Sequence, residues 1–175
     1  PYVENPLDTG HYPAEGIYRQ ILGSAKDYVY IVTPYLILDN TMIASVTSAA
    51  KAGGDVRIIT PKIRDKWYVH PVTQFNYQEL LEAGVRIFEY MPGFIHSKTF
   101  VSDDEVATCG TVNMDYRSFY FHFECGVWFC KNDAVTDIKD EFLSLEEQSE
   151  EIILSKWVKR PLRQKVAQAL LNIFA

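Results

Sequence analysis

The sequence predicts an α/β domain built on a mixed β-sheet. Segments with helix and strand periodicity alternate from Ala14 to Tyr90, the order that yields parallel strands with helices packed on the sheet. After Pro92-Gly93 the alternation stops and a hairpin pattern begins, which adds antiparallel strands. With 175 residues, 47% of them hydrophobic and 23% charged, the chain can bury the core of one domain.

The elements follow in order. Residues 1–13 (PYVENPLDTGHYP) are rich in Pro and turn formers and predict a linker or extended lead-in to a domain over 14–154. From Ala14 to Ala25, Ile17, Ile21 and Leu22 share one helix face. Tyr28–Thr33 is β-branched and aromatic, the composition of a buried strand. Asp39 can cap a helix reaching Ala52, and Gly53-Gly54 supplies a left-handed stop. Val56–Thr60 is the next strand, followed by a loop with Lys62, Arg64, Lys66, Trp67 and Tyr68. A helix over Val72–Ala83 ends at Gly84, and Val85–Tyr90 is again a strand. Thr99–Ser102, a turn at Asp103-Asp104 and Val106–Cys109 make the hairpin, and Cys125–Cys130 adds a strand. Helical periodicity returns over Val135–Leu145 and Leu162–Phe174. There is no internal repeat, so any fold symmetry has to come from another chain or another segment.

Composition narrows the function. A net charge of −6 argues against a general nucleic-acid binder, which would show a basic face. The charge is segregated: residues 133–151 hold eight acids against Lys139, whereas residues 155–175 hold Lys156, Lys159, Arg160, Arg163 and Lys165 with no acid. Cys109, Cys125 and Cys130 lack metal-ligand spacing and read as reduced, mostly buried thiols. No apolar run reaches the roughly 18 residues of a membrane span, and no signal-peptide pattern occurs. Beginning at Pro1 rather than Met, the chain reads as a soluble piece of something longer.

The chemistry lies between His96 and Asn113 (HSKTFVSDDEVATCGTVN): His-x-Lys, four residues, Asp, six residues, Gly-Thr-x-Asn. Residues two apart on a strand project to one face, so His96 and Lys98 point together, followed by a turn carrying Asp103. Gly110-Thr111 lets backbones approach closely before Asn113. These side chains suit phosphodiester cleavage. An imidazole can attack phosphorus or protonate a leaving alkoxide. An ammonium and an amide can hold the non-bridging oxygens, stabilising the transition state without a metal or other cofactor. Glu124, in an otherwise apolar strand, is the expected hydrogen-bond partner of His96, where it would raise the imidazole pKa. A lone histidine is usually structural, but five such positions coincide by chance on the order of once in ten million starts at ordinary residue usage.

This pattern resembles the signature of the phospholipase D superfamily, and Phe94–Glu124 resembles the second, C-terminal motif of bacterial cardiolipin synthases. Tyr30–Asp39, Gly53–Pro61, Glu79–Tyr90 and the basic tail have counterparts there too, so the likeness runs from about residue 15 to the end. Thr111 stands where the wider superfamily more often has Ser. The resemblance implies a three-layer α/β/α sandwich in which two motifs meet across a pseudo-twofold to form one active site. It implies transfer of a phosphatidyl group between two phosphatidylglycerol molecules through a phosphohistidine, with glycerol released. His96, in the second half, would be the general acid and base, Lys98 and Asn113 would bind phosphate, and Asp103 would hold the motif by hydrogen bonding. The partners implied are an anionic phospholipid and an N-terminal half, or a second copy of this chain. The parent would work at the cytoplasmic side of a bacterial membrane.

Other residues have weaker claims. Tyr35 falls at a strand's C-terminal end, where α/β sites lie, and packing competes with substrate contact there. Arg117 reads as a buried ion-pair residue supporting the site, or as a phosphate contact. His70 lies beside a solvated loop, and His11 and His122 have no nameable partner. In the tail, Leu162, Val166, Ala169, Leu170, Ile173 and Phe174 fall at helical spacing with cations opposite. That pattern fits either a helix lying on an anionic membrane or one docked on the domain. Two other functions compete: a single-motif nuclease acting as a homodimer, and a non-catalytic lipid-binding module.

Overall fold

The computed structural model describes residues 1–8, 10–63, 65 and 69–172; Arg64, Lys66, Trp67 and Tyr68 of the basic loop, and Ile173 and Phe174 of the tail, lie outside the described residues. The first half runs β1 (Tyr2–Glu4), α1 (Pro13–Ser24), β2 (Tyr28–Val32), β3 (Leu36–Ile37), α2 (Asn40–Lys51), β4 (Asp55–Pro61), α3 (Val69–Thr73), a 3₁₀ turn (Gln74–Asn76), α4 (Tyr77–Glu82) and β5 (Arg86–Tyr90). The second runs β6 (Thr99–Ser102), β7 (Val106–Gly110), β8 (Met114–Asp115), α5 (Tyr116–Tyr120), β9 (Glu124–Cys130), α6 (Asp133–Glu147), β10 (Ser149–Glu151), α7 (Leu154–Trp157) and α8 (Leu162–Asn172).

The main sheet has the order β1-β9-β7-β6-β2-β4-β5-β10. β2, β4 and β5 are parallel, and the strands on either side join antiparallel, so the sheet is mixed as expected. β2 is buried on both faces. Its Val29 and Ile31 enter one core with α1, α2 and α4, where Tyr18 stacks on Phe100 with ring centroids 4.1 Å apart. Tyr28, Tyr30 and Val32 enter the other core under α6, where Phe142 stacks on Tyr30 at 4.7 Å. Period-two side chains thus feed two helical layers from one strand, giving the α/β/α sandwich. Asp39 caps α2 by accepting the Met42 N–H (2.7 Å), and Gly53 (φ 102°) ends the helix in the left-handed region.

Three expectations need correction. The lead-in is not a linker throughout, because β1 pairs antiparallel with β9 and closes that edge of the sheet. Tyr2 and Glu4 are buried while Val3 is exposed, an inversion of hydropathy. It arises because the Tyr2 ring lies against Gly126 with its hydroxyl on Thr108 (2.8 Å), and Glu4 takes the Ala14 N–H at the start of α1. The helix expected over Val72–Ala83 is broken at the 3₁₀ turn, where Gln74 turns inward to donate to Glu89 (2.8 Å). The three cysteines are free but exposed rather than buried. Among the described residues, no helix is long and apolar enough to cross a membrane.

Candidate active site

β6 begins beside the end of β2, with Thr99 paired to Val32 on one side and Cys109 on the other. The segment entering it, Phe94–Lys98, therefore arrives at the edge of the sheet where the parallel strands β2, β4 and β5 finish. Clefts in α/β folds form at that edge. His96 and Lys98 precede the strand rather than lying in it, and their environments differ: His96 is exposed, whereas Lys98 is 6% exposed. The Lys98 carbonyl accepts the Gly110 N–H (3.2 Å), and its ammonium donates to the His96 carbonyl (2.6 Å). The cation is thereby fixed beside the imidazole.

Gly110 is explained by the neighbouring strand. A Cβ there would lie against the Cys125 carbonyl oxygen and 2.7 Å from the Gly126 Cα, closer than atoms can pack. Thr111 then ties the end of β7 to β9. Its N–H donates to the Cys125 carbonyl (2.8 Å), and its hydroxyl accepts the Cys125 N–H (3.0 Å). Asn113 donates to the Ser118 hydroxyl (3.0 Å), and its amide oxygen is buried without a partner among the described residues. Met114 donates to Thr33 Oγ1 (3.2 Å), and β8 pairs with β3, holding this turn against the exit of β2.

Asp103 stands at the opposite end of β6, in the hairpin turn, with φ 54°. One carboxylate oxygen accepts the N–H groups of Asp27 (3.0 Å) and Tyr28 (2.9 Å); the other accepts that of Lys26 (2.8 Å). The hairpin is thus clamped to the turn between α1 and β2. Burial pushes the Asp103 carboxyl up, but the three donors outweigh it and hold the group below the usual range.

Burial lowers the His96 pKa below its ordinary value, and the Lys98 charge lowers it further; Asp65 opposes both. Lys98 is likewise lowered by burial, with Glu124 and Asp115 pulling it back up. Asp115, the N-cap of α5 through the Ser118 N–H (2.7 Å), is raised by burial. The site is therefore a desolvated cation under the influence of two carboxylate charges, with an exposed imidazole two residues earlier.

Glu124 is not where the sequence suggested. It is half-buried, but among the described residues its close partner is His122 (Nδ1 to Oε1, 3.5 Å), and its charge acts on Lys98 rather than on His96. The reason is positional: Glu124 opens β9, beside β7, whereas His96 sits ahead of β6. His122 thereby gains the partner it lacked. Arg117 is exposed rather than buried in an ion pair. Tyr35 donates to Asp65 (2.6 Å) and, through Phe94 (ring centroids 6.3 Å), continues toward the His96 ring (5.7 Å). Asp65 went unread in the sequence, and Phe94 and Asp115 were read only as part of the Phe94–Glu124 likeness; Asp115 left a further signal, as an N-cap three residues before Ser118.

Residues 18–146 match the family described as "Cardiolipin synthase, PLD-like domain". The whole chain is 42% identical to an uncharacterized protein of Streptococcus mutans, of which it spans 38%. Over 91% of its length it is 35% identical to cardiolipin synthase 2 of Bacillus anthracis, of which it spans 31%. The chain thus spans about a third of these curated relatives. Among solved structures, Nuc, a phospholipase D family member from Salmonella typhimurium, superposes with TM-score 0.71 at 15% identity over 86% of this chain and 96% of that one. Phosphatidylserine synthase from Haemophilus influenzae gives 0.71 at 16% identity over 95% of this chain and 43% of that one. At such identities these two structures establish the fold.

Proposed function

The chain belongs to the phospholipase D-like domain family of cardiolipin synthases, and from that premise we propose that it supplies one catalytic half of a phosphatidyl-transfer site. The observation that carries this reading is the pairing of a buried Lys98 ammonium, held by a carbonyl, with an exposed imidazole two residues earlier. An anchored, desolvated cation binds a phosphodiester strongly and needs no reorganisation as charge develops. Asn113 is the second phosphate ligand in this reading. Thr111 and Asp103 shape the site through bonds to the backbone, and Arg117 and Tyr35 are the candidates for headgroup contact in this reading.

Chemically, a histidine of the other half attacks the phosphorus of one phosphatidylglycerol. A P–N bond forms, the P–O bond to glycerol breaks, and the electron pair leaves on the glycerol oxygen. His96, as imidazolium, gives that oxygen its proton. Neutral His96 then takes the proton from a hydroxyl of a second phosphatidylglycerol, whose oxygen displaces the histidine and yields cardiolipin. Alone, His96 is biased toward the neutral form; a phosphodiester anion bound beside it favours the imidazolium that the first step requires. The other half-site comes from a preceding domain of the parent or from a second copy.

The match across nearly all of Nuc favours a second arrangement, a single-motif phosphodiesterase that pairs two copies of itself. Assaying phosphatidylglycerol, a bis-ester phosphate and DNA with the complete parent enzyme separates the two. Phosphatidyl transfer is expected to dominate, and His96→Ala or Lys98→Ala to lower it about 10³-fold without unfolding. An ordinary rate from well-folded His96→Ala protein refutes the assignment, and robust phosphatidylglycerol turnover by a proven monomer of this chain refutes the half-site.

A further inference from the structure

Helix α8 is seated the reverse of an ordinary docked helix, which buries its apolar stripe. Leu162, Val166 and Leu170 recur at four-residue spacing on one face, and that face looks outward, with exposures of 73%, 48% and 55%. The face turned to the domain carries Gln168, 1% exposed. Its attachments are polar. Gln168 Nε2 donates to Gln74 Oε1 (3.3 Å), and Arg160 Nε donates to Gln168 Oε1 (3.2 Å). Lys165 Nζ donates to the Val158 carbonyl (2.8 Å). Gln74 donates in turn to Glu89 (2.8 Å), whose other oxygen meets Lys62 Nζ at 2.9 Å. A polar grip on one side and a row of large apolar side chains on the other is the signature of a surface that meets something.

Charge identifies what it meets. In a chain of net charge −6, residues 155–175 hold five cations and no acid. Lys156, Lys159 and Arg163 are exposed, and Arg163 adjoins the stripe on the helix surface. We infer that α8 lies flat on an anionic phospholipid surface, with Leu162, Val166 and Leu170 among the acyl chains and Lys156, Lys159 and Arg163 at the phosphates. The grip fixes the attitude of the domain on that surface, because it runs to Glu89 in β5, the strand that leads into the connection carrying His96. This inference is independent of the transfer reaction, since lipid binding is read without turnover.

Co-sedimentation of this chain with mixed phosphatidylglycerol–phosphatidylcholine vesicles, against phosphatidylcholine alone, tests it. Binding is expected only with the anionic vesicles. The double variant Val166→Glu, Leu170→Glu, with unchanged circular dichroism and melting temperature, is expected to bind at least about tenfold more weakly. Replacing Lys156, Lys159 and Arg163 with Gln is expected to weaken binding about 10²-fold, at about fivefold per cation. A water-soluble short-chain phosphatidylglycerol, which can fill the site without forming a surface, is expected to leave vesicle binding unchanged; displacement by it would place the lipid in the site and overturn the inference. Wild-type protein left in the supernatant, or undiminished binding by the double Glu variant, would also overturn it. A dimer broken by Leu170→Glu without vesicle binding would assign the stripe to a second copy instead.

Discussion

Replacing Asp103 with Ala removes the clamp without touching His96 or Lys98, and its cost follows from three hydrogen bonds and one dihedral. A hydrogen bond to a charged group contributes about 1.5–3 kcal/mol when shielded. Only the bond from Tyr28 is partly buried; those from Lys26 and Asp27 are exposed and are discounted to about 0.5 kcal/mol each for solvent screening. Alanine at φ 54° adds about 1 kcal/mol of backbone strain. The total is about 4 kcal/mol, or roughly a 10 °C fall in Tm for a domain of this size. Asn tolerates the left-handed backbone and can still accept from Asp27 and Tyr28, so Asp103→Asn should lose only about 1 kcal/mol. Thermal and urea unfolding followed by circular dichroism give both values. If Asp103→Ala melted within about 2 °C of wild type, the clamp would be refuted. The pH dependence has a fixed sign. The Asp103 carboxyl is held below its ordinary value, so its contribution is complete above the unfolded-state pKa and is lost as pH falls through the lower folded value.

Three further outcomes follow from the site. Gly110→Ala forces β7 away from β9 and should destabilise the domain by about 1–3 kcal/mol; a neutral effect in urea unfolding would show that the strands can separate freely. The His96 imidazole should titrate by NMR below the ordinary histidine value, and Lys98→Met should raise its midpoint by removing a neighbouring cation, with no rise counting against the assigned geometry. Glu124→Gln should lower the Lys98 pKa and carry the alkaline limb of the parent enzyme's pH–rate profile to lower pH. A clear fall in the His96 NMR midpoint in the same variant would restore the His96 pairing that the structure does not place there.

Features that depend on neighbours in sequence were legible before the fold was known. The Asp39 cap, the Gly53 and Gly84 stops and the β6–β7 hairpin are local events, and each was readable from its own few residues. The His96–Asn113 motif was legible because it is compact. Features set by distant partners were not. Tyr2–Glu4 becomes a strand only because β9, more than 100 residues later, offers Gly126 as a bare patch for the Tyr2 ring. The break at Gln74 is made by Glu89 and Gln168, which helical periodicity does not see. Glu124 was expected beside His96, but strand order puts His122 within its reach instead and leaves its charge acting on Lys98.

β1 has a consequence for how copies of this molecule meet. Its three residues occupy the Glu124–Gly126 part of the row of backbone donors and acceptors along the outer side of β9. Glu4 also supplies the carboxylate at the head of α1, where Tyr12 makes no capping bond. Trimming the chain to Pro13 would therefore leave a seven-residue edge strand open to pairing and a helix start without its acceptor. The sheet would then be free to extend into a neighbouring chain, joining molecules strand to strand. Three residues of backbone thus decide how much of that edge a neighbouring chain could add to.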